Sequence, residues 1–449
     1  MKRDTFTGRV GFVLAAAGSA VGLGNIWRFP YLAAQYGGGI FLLVYLVLVL
    51  TVGIWLMSAE IAIGRKTGLS AVGAFKTLNS KYSFIGYLAA LVPILVLPYY
   101  SVIGGWVTKY LVTFVSGGAA VSASDGFFAG FISSTFEPLV WFLIFLGVTA
   151  VAVFFGVEKG IEKVSKFLMP VLVLLAVFIA GFVVLQKGAL EGVLYYLTPD
   201  FSRFSVKTVL AALGQMFYSM SVAMGIMITY GSYMKKDVSI ATSAKQIALF
   251  DTGIAFISGL MIVPAVFLFS GGSEQALRQG PGLMFETLPK VFQSMNGGAV
   301  IGTVFFVLVL FAALTSSISL METIVSVLQD QMKMSRIRAS VVTLLLSVTL
   351  GVPSSLGFGL WKDIRIFGLQ FLDFFDFISN SVIMPIVALL TALFVGYVIK
   401  PQTLLNEIER TSPLKSRGWF AITIRYFAPV CILLVLITSL LSAFGLFTI

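Results

Sequence analysis

The sequence predicts an all-α, polytopic membrane protein with eleven transmembrane helices, arranged as a 5+5 inverted repeat with helices 1 and 6 broken at mid-membrane. Three observations carry this. The 449 residues are 58% hydrophobic and only 11% charged, with mean hydropathy +1.01, outside the range of soluble domains. Eleven charge-free runs each reach the length needed to cross a bilayer. Two of those runs, the first and the sixth, are interrupted by glycine and polar residues at corresponding positions of two halves.

The runs are 10–27, 40–59, 82–108, 138–157, 167–186, 208–234, 252–273, 299–321, 339–361, 377–399 and 426–449. They form one transmembrane domain over 1–449. The first repeat takes residues 8–187, the second 205–400, and helix 11 residues 418–447. With the N-terminus in the cytoplasm, 21 of the 30 Lys and Arg residues fall on inner loops, as the positive-inside rule requires. Eleven crossings then leave the C-terminus outside. The same sorting accounts for the net charge of +11 without a nucleic-acid partner; the bilayer is the partner.

Helix 1 contains Gly18, Gly22 and Gly24 beside Asn25, then Arg28 and Pro30. Glycine weakens a helix, and freed backbone at membrane depth is tolerated only where it lines a protein-enclosed cavity. Such a break points to a transporter's binding site. Helix 6 matches it with Ser219, Ser221 and Gly225. Helix 2 ends near Glu60, which has no local cation and is placed to hydrogen-bond the freed backbone of helix 6. In helix 5, Pro170 follows Gly160 by ten residues, so its inner half is expected to unwind easily. Gly280-Pro281-Gly282, in the long outer connection 274–298, marks a turn before a short helix. It reads as an outer lid, or as an ordinary connector.

Helix 7 carries Asp251. A carboxylate at a helix centre is costly in lipid and no Lys or Arg lies in the nearby core, so a bound cation is the economical partner. Alternatively Asp251 lies at the cytoplasmic interface, six residues from Lys245. Helix 8 offers Thr315, Ser316 and Ser317, as oxygen ligands for a hard cation or as hydrogen bonds back to their own helix or across to neighbouring ones. Arg28 and Asp376 lie at outer helix ends and Arg3 and Asp330 at inner ones, placed to pair as gates.

The chain contains no His, the single cysteine Cys431, and no Gly-Lys of a phosphate-binding loop. Histidine-ligated metals and an internal disulfide are thereby excluded, and energy must come from a partner protein or from ion gradients. No acid–base pair with a nucleophile suggests an enzyme.

Gly18 to Pro30, Tyr99-Tyr100, Gly214-Gln215, Ser219 to Tyr233, Gly280 to Pro289 and Thr315-Ser316-Ser317 together resemble the neurotransmitter:sodium symporter family over nearly the whole chain. The likeness is greatest to its short bacterial members with eleven helices, among them carriers of several hydrophobic amino acids.

The resemblance implies a sodium-coupled importer of hydrophobic L-amino acids in the plasma (inner) membrane of a bacterium, with two Na⁺ sites. One Na⁺ would be held by Ala20, Asn25, Ser219, Asp251 and the substrate carboxylate. The other would be held by Gly18, Val21, Ala312, Thr315 and Ser316. The substrate's carboxylate and ammonium would meet the broken stretch Ser19, Ala20, Gly22, Leu23 and Gly24 together with Tyr100, Tyr218, Ser219 and Ser221. Its side chain would meet Val96, Tyr100, Tyr218, Val222, Ala223, Met224, Ser316 and Leu320. Arg28–Asp376 would close the outer gate under Tyr100 and Tyr218. Arg3–Asp330, near Ser232 and Tyr233, would close the inner one, and Gly160 with Pro170 would allow helix 5 to unwind.

Two departures are informative. Monoamine carriers of the family have an aspartate where Gly22 stands, so here the substrate brings its own carboxylate. Chloride-dependent members have a neutral residue where Asp251 stands, so chloride independence is expected. The alternatives are a sodium-coupled carrier of another small carboxylated solute, or a non-transporting amino-acid sensor on the same scaffold. The oligomeric state is not legible.

Overall fold

The computed structural model describes residues 4–269 and 281–443. The described chain is helical apart from its connections and two isolated bridges, Gly38 with Pro199 and Ile366 with Leu369. In chain order the main segments are α1 (Arg9–Ala20 and Gly24–Gln35), α2 (Gly39–Thr67), α3 (Ser80–Val115), α4 (Glu137–Phe154) and α5 (Val157–Val184). There follow α6 (Val206–Ser219 and Ile226–Ser232), α7 (Ile240–Phe269), α8 (Gly298–Met332), α9 (Arg336–Leu356), α10 (Phe371–Val398) and α11 (Arg417–Ser442). Among the described residues nine helices are long and apolar enough to cross a membrane, and the bent pair in α1 makes ten. The halves of α6, 14 and 7 residues long, are each too short to span.

Both interrupted runs are broken where the glycines and serines fall. The first half of α1 ends at Ala20, Val21 turns extended (ψ 99°), and the second half resumes at an angle of 56°. In α6 the break spans residues 220–225. Ser221 (φ 52°), Ala223 (φ 67°) and Gly225 (φ 71°) all take left-handed backbone, which side-chain-bearing residues adopt rarely. Such strain persists only where surroundings impose it.

The surroundings are close-packed helices. α2 lies along both halves of α6, and the approach is reciprocal. A Cβ on Gly64 would meet the Ile228 carbonyl at 1.9 Å, and one on Gly231 the Ile61 carbonyl at 2.4 Å. Small residues allow this proximity where burial of apolar surface does not drive helices together. α8 packs extensively along α3, and α1 lies against α5, α7 and α8. The two breaks therefore meet in the interior, walled by α3 and α8.

α5 remains wound. Gly160 sits in a wide π-helical turn, Val157–Glu162, and Pro170 lies inside the continuous helix Lys163–Val184. Thr7 N–H donates to Glu162 Oε2 at 2.8 Å, so the N-terminal segment holds this end of α5. Gly280 and residues 270–279 of the proposed lid lie outside the described residues. The described part, Leu283–Thr287 and Leu288–Ser294, anchors on Phe285. Its carbonyl accepts from Tyr110 Oη at 2.7 Å, and its ring packs on Trp27, Trp106, Tyr110 and Phe128.

Candidate functional site

A small cavity of about 40 Å³ occupies the meeting point of the breaks, lined chiefly by Ser19, Ala20, Gly22 to Asn25, Val96, Tyr100, Tyr218, Met224 and Leu320. Val21 is not part of that lining, and neither are Val222 and Ala223, although both of the latter are buried. The left-handed turn directs Ala223 N–H to Glu60 Oε1 at 2.7 Å, so this stretch faces α2. Ile226 and Ser319 line the cavity instead. Ser319 was detectable as one more hydroxyl one turn beyond Ser316; nothing in the sequence marked Ile226.

Above lies a larger cavity of about 520 Å³, with Leu23, Tyr100 and Tyr218 shared between the two. Arg28 and Asp376 both line it, but no ion pair joins them. The Arg28 guanidinium lies over the Tyr218 ring, 5.0 Å from its centroid. Asp376 Oδ1 accepts from Tyr99 Oη at 3.0 Å and from Asn380 Nδ2 at 2.7 Å. The expected outer pair is thus held apart by other partners, and the cavity opens between them.

Asp251 is fully buried, so its carboxylate does not reach solvent, and Lys245 is exposed. Oδ1 accepts from Asn25 Nδ2 and Ser219 Oγ, both at 2.7 Å, and Oδ2 accepts from Tyr45 Oη at 3.3 Å. No Lys or Arg nitrogen pairs with it among the described residues. A buried carboxylate with only neutral donors keeps an uncompensated charge, a setting that suits a cation.

A second group of oxygens lies between α1 and α8. Ser316 Oγ stands 3.4 Å from the Gly18 carbonyl, 3.1 Å from that of Ser19 and 3.3 Å from that of Val21. One hydroxyl proton cannot serve three carbonyls. Thr315 Oγ1 donates to the Phe311 carbonyl at 3.0 Å and stands 3.1 Å from that of Ala312, and a Cβ on Gly18 would meet Thr315 Cβ at 3.0 Å. Acceptors outnumber donors here, a donor set that fits a hard cation.

Two glycines set the approach of the walls. A Cβ on Gly22 would lie 2.7 Å from Ser316 Oγ, and one on Gly24 would lie 2.4 Å from Tyr218 Cε1. Leu23 N–H donates to Tyr100 Oη at 3.4 Å, and Gln215 Nε2 to the Gly24 carbonyl at 3.0 Å.

Of the pair expected at an inner gate, Arg3 lies outside the described residues. Asp330 Oδ2 accepts from Ser70 N–H at 2.7 Å, Ser232 Oγ donates to the Thr229 carbonyl, and Tyr233 Oη donates to Glu322 Oε1 at 2.7 Å. Glu322, with no side-chain exposure, also pairs with Arg336. The sequence reading overlooked both residues, although Glu322 closes an otherwise charge-free run, as Glu60 does.

Comparison with known proteins gives this architecture its family. Residues 3–120 and 133–446 match the sodium:neurotransmitter symporter family. The chain belongs to that family. It is 36% identical to the uncharacterized sodium-dependent transporter YhdH of Bacillus subtilis, over 95% of each chain. It is 34% identical to an uncharacterized sodium-dependent transporter of Haemophilus influenzae, over 98% of each. Among solved structures it resembles MhsT in complex with L-phenylalanine, at 38% identity and TM-score 0.88, covering 98% of this chain and all of that one. This member of the symporter family is therefore a sodium-dependent membrane transporter and not an enzyme.

Proposed function

We propose that the protein is a chloride-independent symporter that uses sodium to import hydrophobic L-amino acids by alternating access. The observation that carries this reading is the placement of Asp251, buried, without a cationic partner among the described residues, and bonded to Asn25 and Ser219 at the two helix breaks. One sodium ion would sit among Ala20, Asn25, Ser219, Asp251 and the substrate carboxylate. A second would sit among Gly18, Val21, Ala312, Thr315 and Ser316. The fixed charge of Asp251 supplies what chloride would otherwise provide.

The substrate carboxylate would point to Leu23, Gly24 and Tyr100. Its ammonium would point to Ala20, Tyr218, Ser219 and Ser221, and its side chain to Val96, Met224 and Leu320. The likeness to MhsT, whose structure holds L-phenylalanine, supports an amino-acid substrate. Eleven crossings in a 5+5 repeat, an inner N-terminus and a bacterial plasma membrane complete the proposal. Each sodium ion moving down about 100 mV releases about 2.3 kcal/mol, and a tenfold gradient adds about 1.4 kcal/mol, enough to drive accumulation.

Uptake of a panel of labelled L-amino acids into proteoliposomes, with external sodium or potassium, tests the reading. Sodium-dependent accumulation of a hydrophobic member supports it. Binding without accumulation indicates a sensor, and neither binding nor uptake removes the amino-acid assignment.

A further inference from the structure

Four buried serines meet at the small cavity: Ser19 of α1, Ser221 of the α6 break, and Ser316 and Ser319 of α8. A hydroxyl has one proton to give, so the distances order the chain. Ser319 Oγ donates to the Ser316 carbonyl at 2.8 Å. It therefore accepts at its 2.7 Å contact with Ser19 Oγ. That length is the usual one for O–H···O, whereas Ser19 Oγ stands 3.3 Å from Ser221 Oγ, beyond the usual range. Ser221 Oγ in turn donates to the Ser19 carbonyl at 3.0 Å. All three protons are used within the chain, and the remaining capacity of Ser19 and Ser221 is lone pairs.

We propose that Ser319 is a positioning residue for the amino end of the substrate: it draws the Ser19 proton out of the cavity, so that Ser19 and Ser221 offer only acceptors to an ammonium group. The inference rests on the amino-acid reading above and adds Ser319 and a role for Ser19 to it. Without the Ser319 hydroxyl, the Ser19 proton has Ser221 Oγ as its neighbouring acceptor. Turning there, it occupies a Ser221 lone pair. An ammonium brings three donors and no acceptor, so it loses a partner and meets a competing donor.

The test is a mutant cycle on sodium-driven uptake in proteoliposomes, using the best-transported member of the hydrophobic L-amino-acid panel. Ser319→Ala is expected to raise KM about tenfold, as expected for a lost hydrogen bond to a charged group, with kcat within about twofold. Ser19→Ala is expected to do the same. Because Ser319 acts through Ser19, the double variant is expected to match Ser19→Ala alone, the non-additivity of a shared interaction. Ser319→Thr keeps the hydroxyl and is expected to restore KM. If Ser319→Ala does not fold, Ser319→Cys takes its place, since a thiol is a weak acceptor. An unchanged KM, or losses that multiply in the double variant, overturns the proposal alone. Absence of uptake of every amino acid by the unaltered protein overturns the underlying reading and this inference with it.

Discussion

Glu60 Oε1 accepts the amide proton of Ala223 at 2.7 Å, from within α2 to the centre of the α6 break. Ala223 is left-handed, and its N–H has no partner within a helix. The carboxylate thus stabilises a backbone conformation that α6 would not hold alone. Glu60→Ala leaves that buried N–H unmatched, a loss of about 1–3 kcal/mol. A fall in the detergent melting temperature is expected, with Glu60→Gln, which keeps an acceptor, falling less. Equal melting for the two variants would count against this role.

Asp251 sets the sodium requirement in the proposed mechanism. Asp251→Asn removes the fixed charge but keeps an oxygen. The sodium concentration for half-maximal uptake is expected to rise at least about tenfold, the order of effect of a lost charge-assisted interaction. Chloride is expected to have no effect on the unaltered protein and to stimulate the variant. Strong chloride stimulation of the unaltered protein would refute the charge argument.

Gly24 allows the Tyr218 ring to lie against the α1 break. Gly24→Ala places a Cβ 2.4 Å from Tyr218 Cε1, so the ring must move off the wall it shares with the outer cavity. Substrate affinity is expected to fall by at least about tenfold, in line with the cost of overpacking, while the melting temperature changes little. Equilibrium binding to purified protein provides the comparison.

Arg28 and Asp376 face the same cavity without pairing. If they close the outer gate during transport, sodium with substrate brings their helices together. Spin labels on the outer ends of α1 and α10 are expected to move closer when both are added, and not with potassium. Arg28→Ala is expected to slow uptake while leaving sodium binding intact.

The reciprocal contact of α2 and α6 leaves no room for side chains. Gly64→Ala and Gly231→Ala each put a Cβ against backbone, at 1.9 Å and 2.4 Å, and backbone cannot swing aside. Each is expected to cost at least about 1–3 kcal/mol, seen as poor yield and early melting. Gly147→Ala, with nothing within 4 Å, is the control expected to behave as the unaltered protein.

Much of this was legible in the sequence because lipid imposes simple rules. Long apolar runs must be helices, and polar residues within them need partners. The long helical runs, the breaks in α1 and α6, a carboxylate inside α7 at Asp251 and the use of Glu60 all follow from local composition. The outer ion pair did not: Asp376 has Tyr99 and Asn380 beside it, and Arg28 has Tyr218, and which partner prevails depends on how far the cavity is open. The placement of Val222 and Ala223 outside the cavity was equally hidden, because three left-handed residues reverse the face that a helical register would assign.

The sequence alone therefore determined the membrane class, the family and the two helices that break, since each rests on residue type and spacing. Tertiary structure decided which side chain meets which break. Gly64 and Gly231 bring α2 against α6, Ser319 reaches Ser19 across 300 residues, and Arg336 reaches Glu322 from α9. These contacts depend on the packing of distant helices, and each has an outcome fixed by a fraction of an ångström that no local pattern encodes.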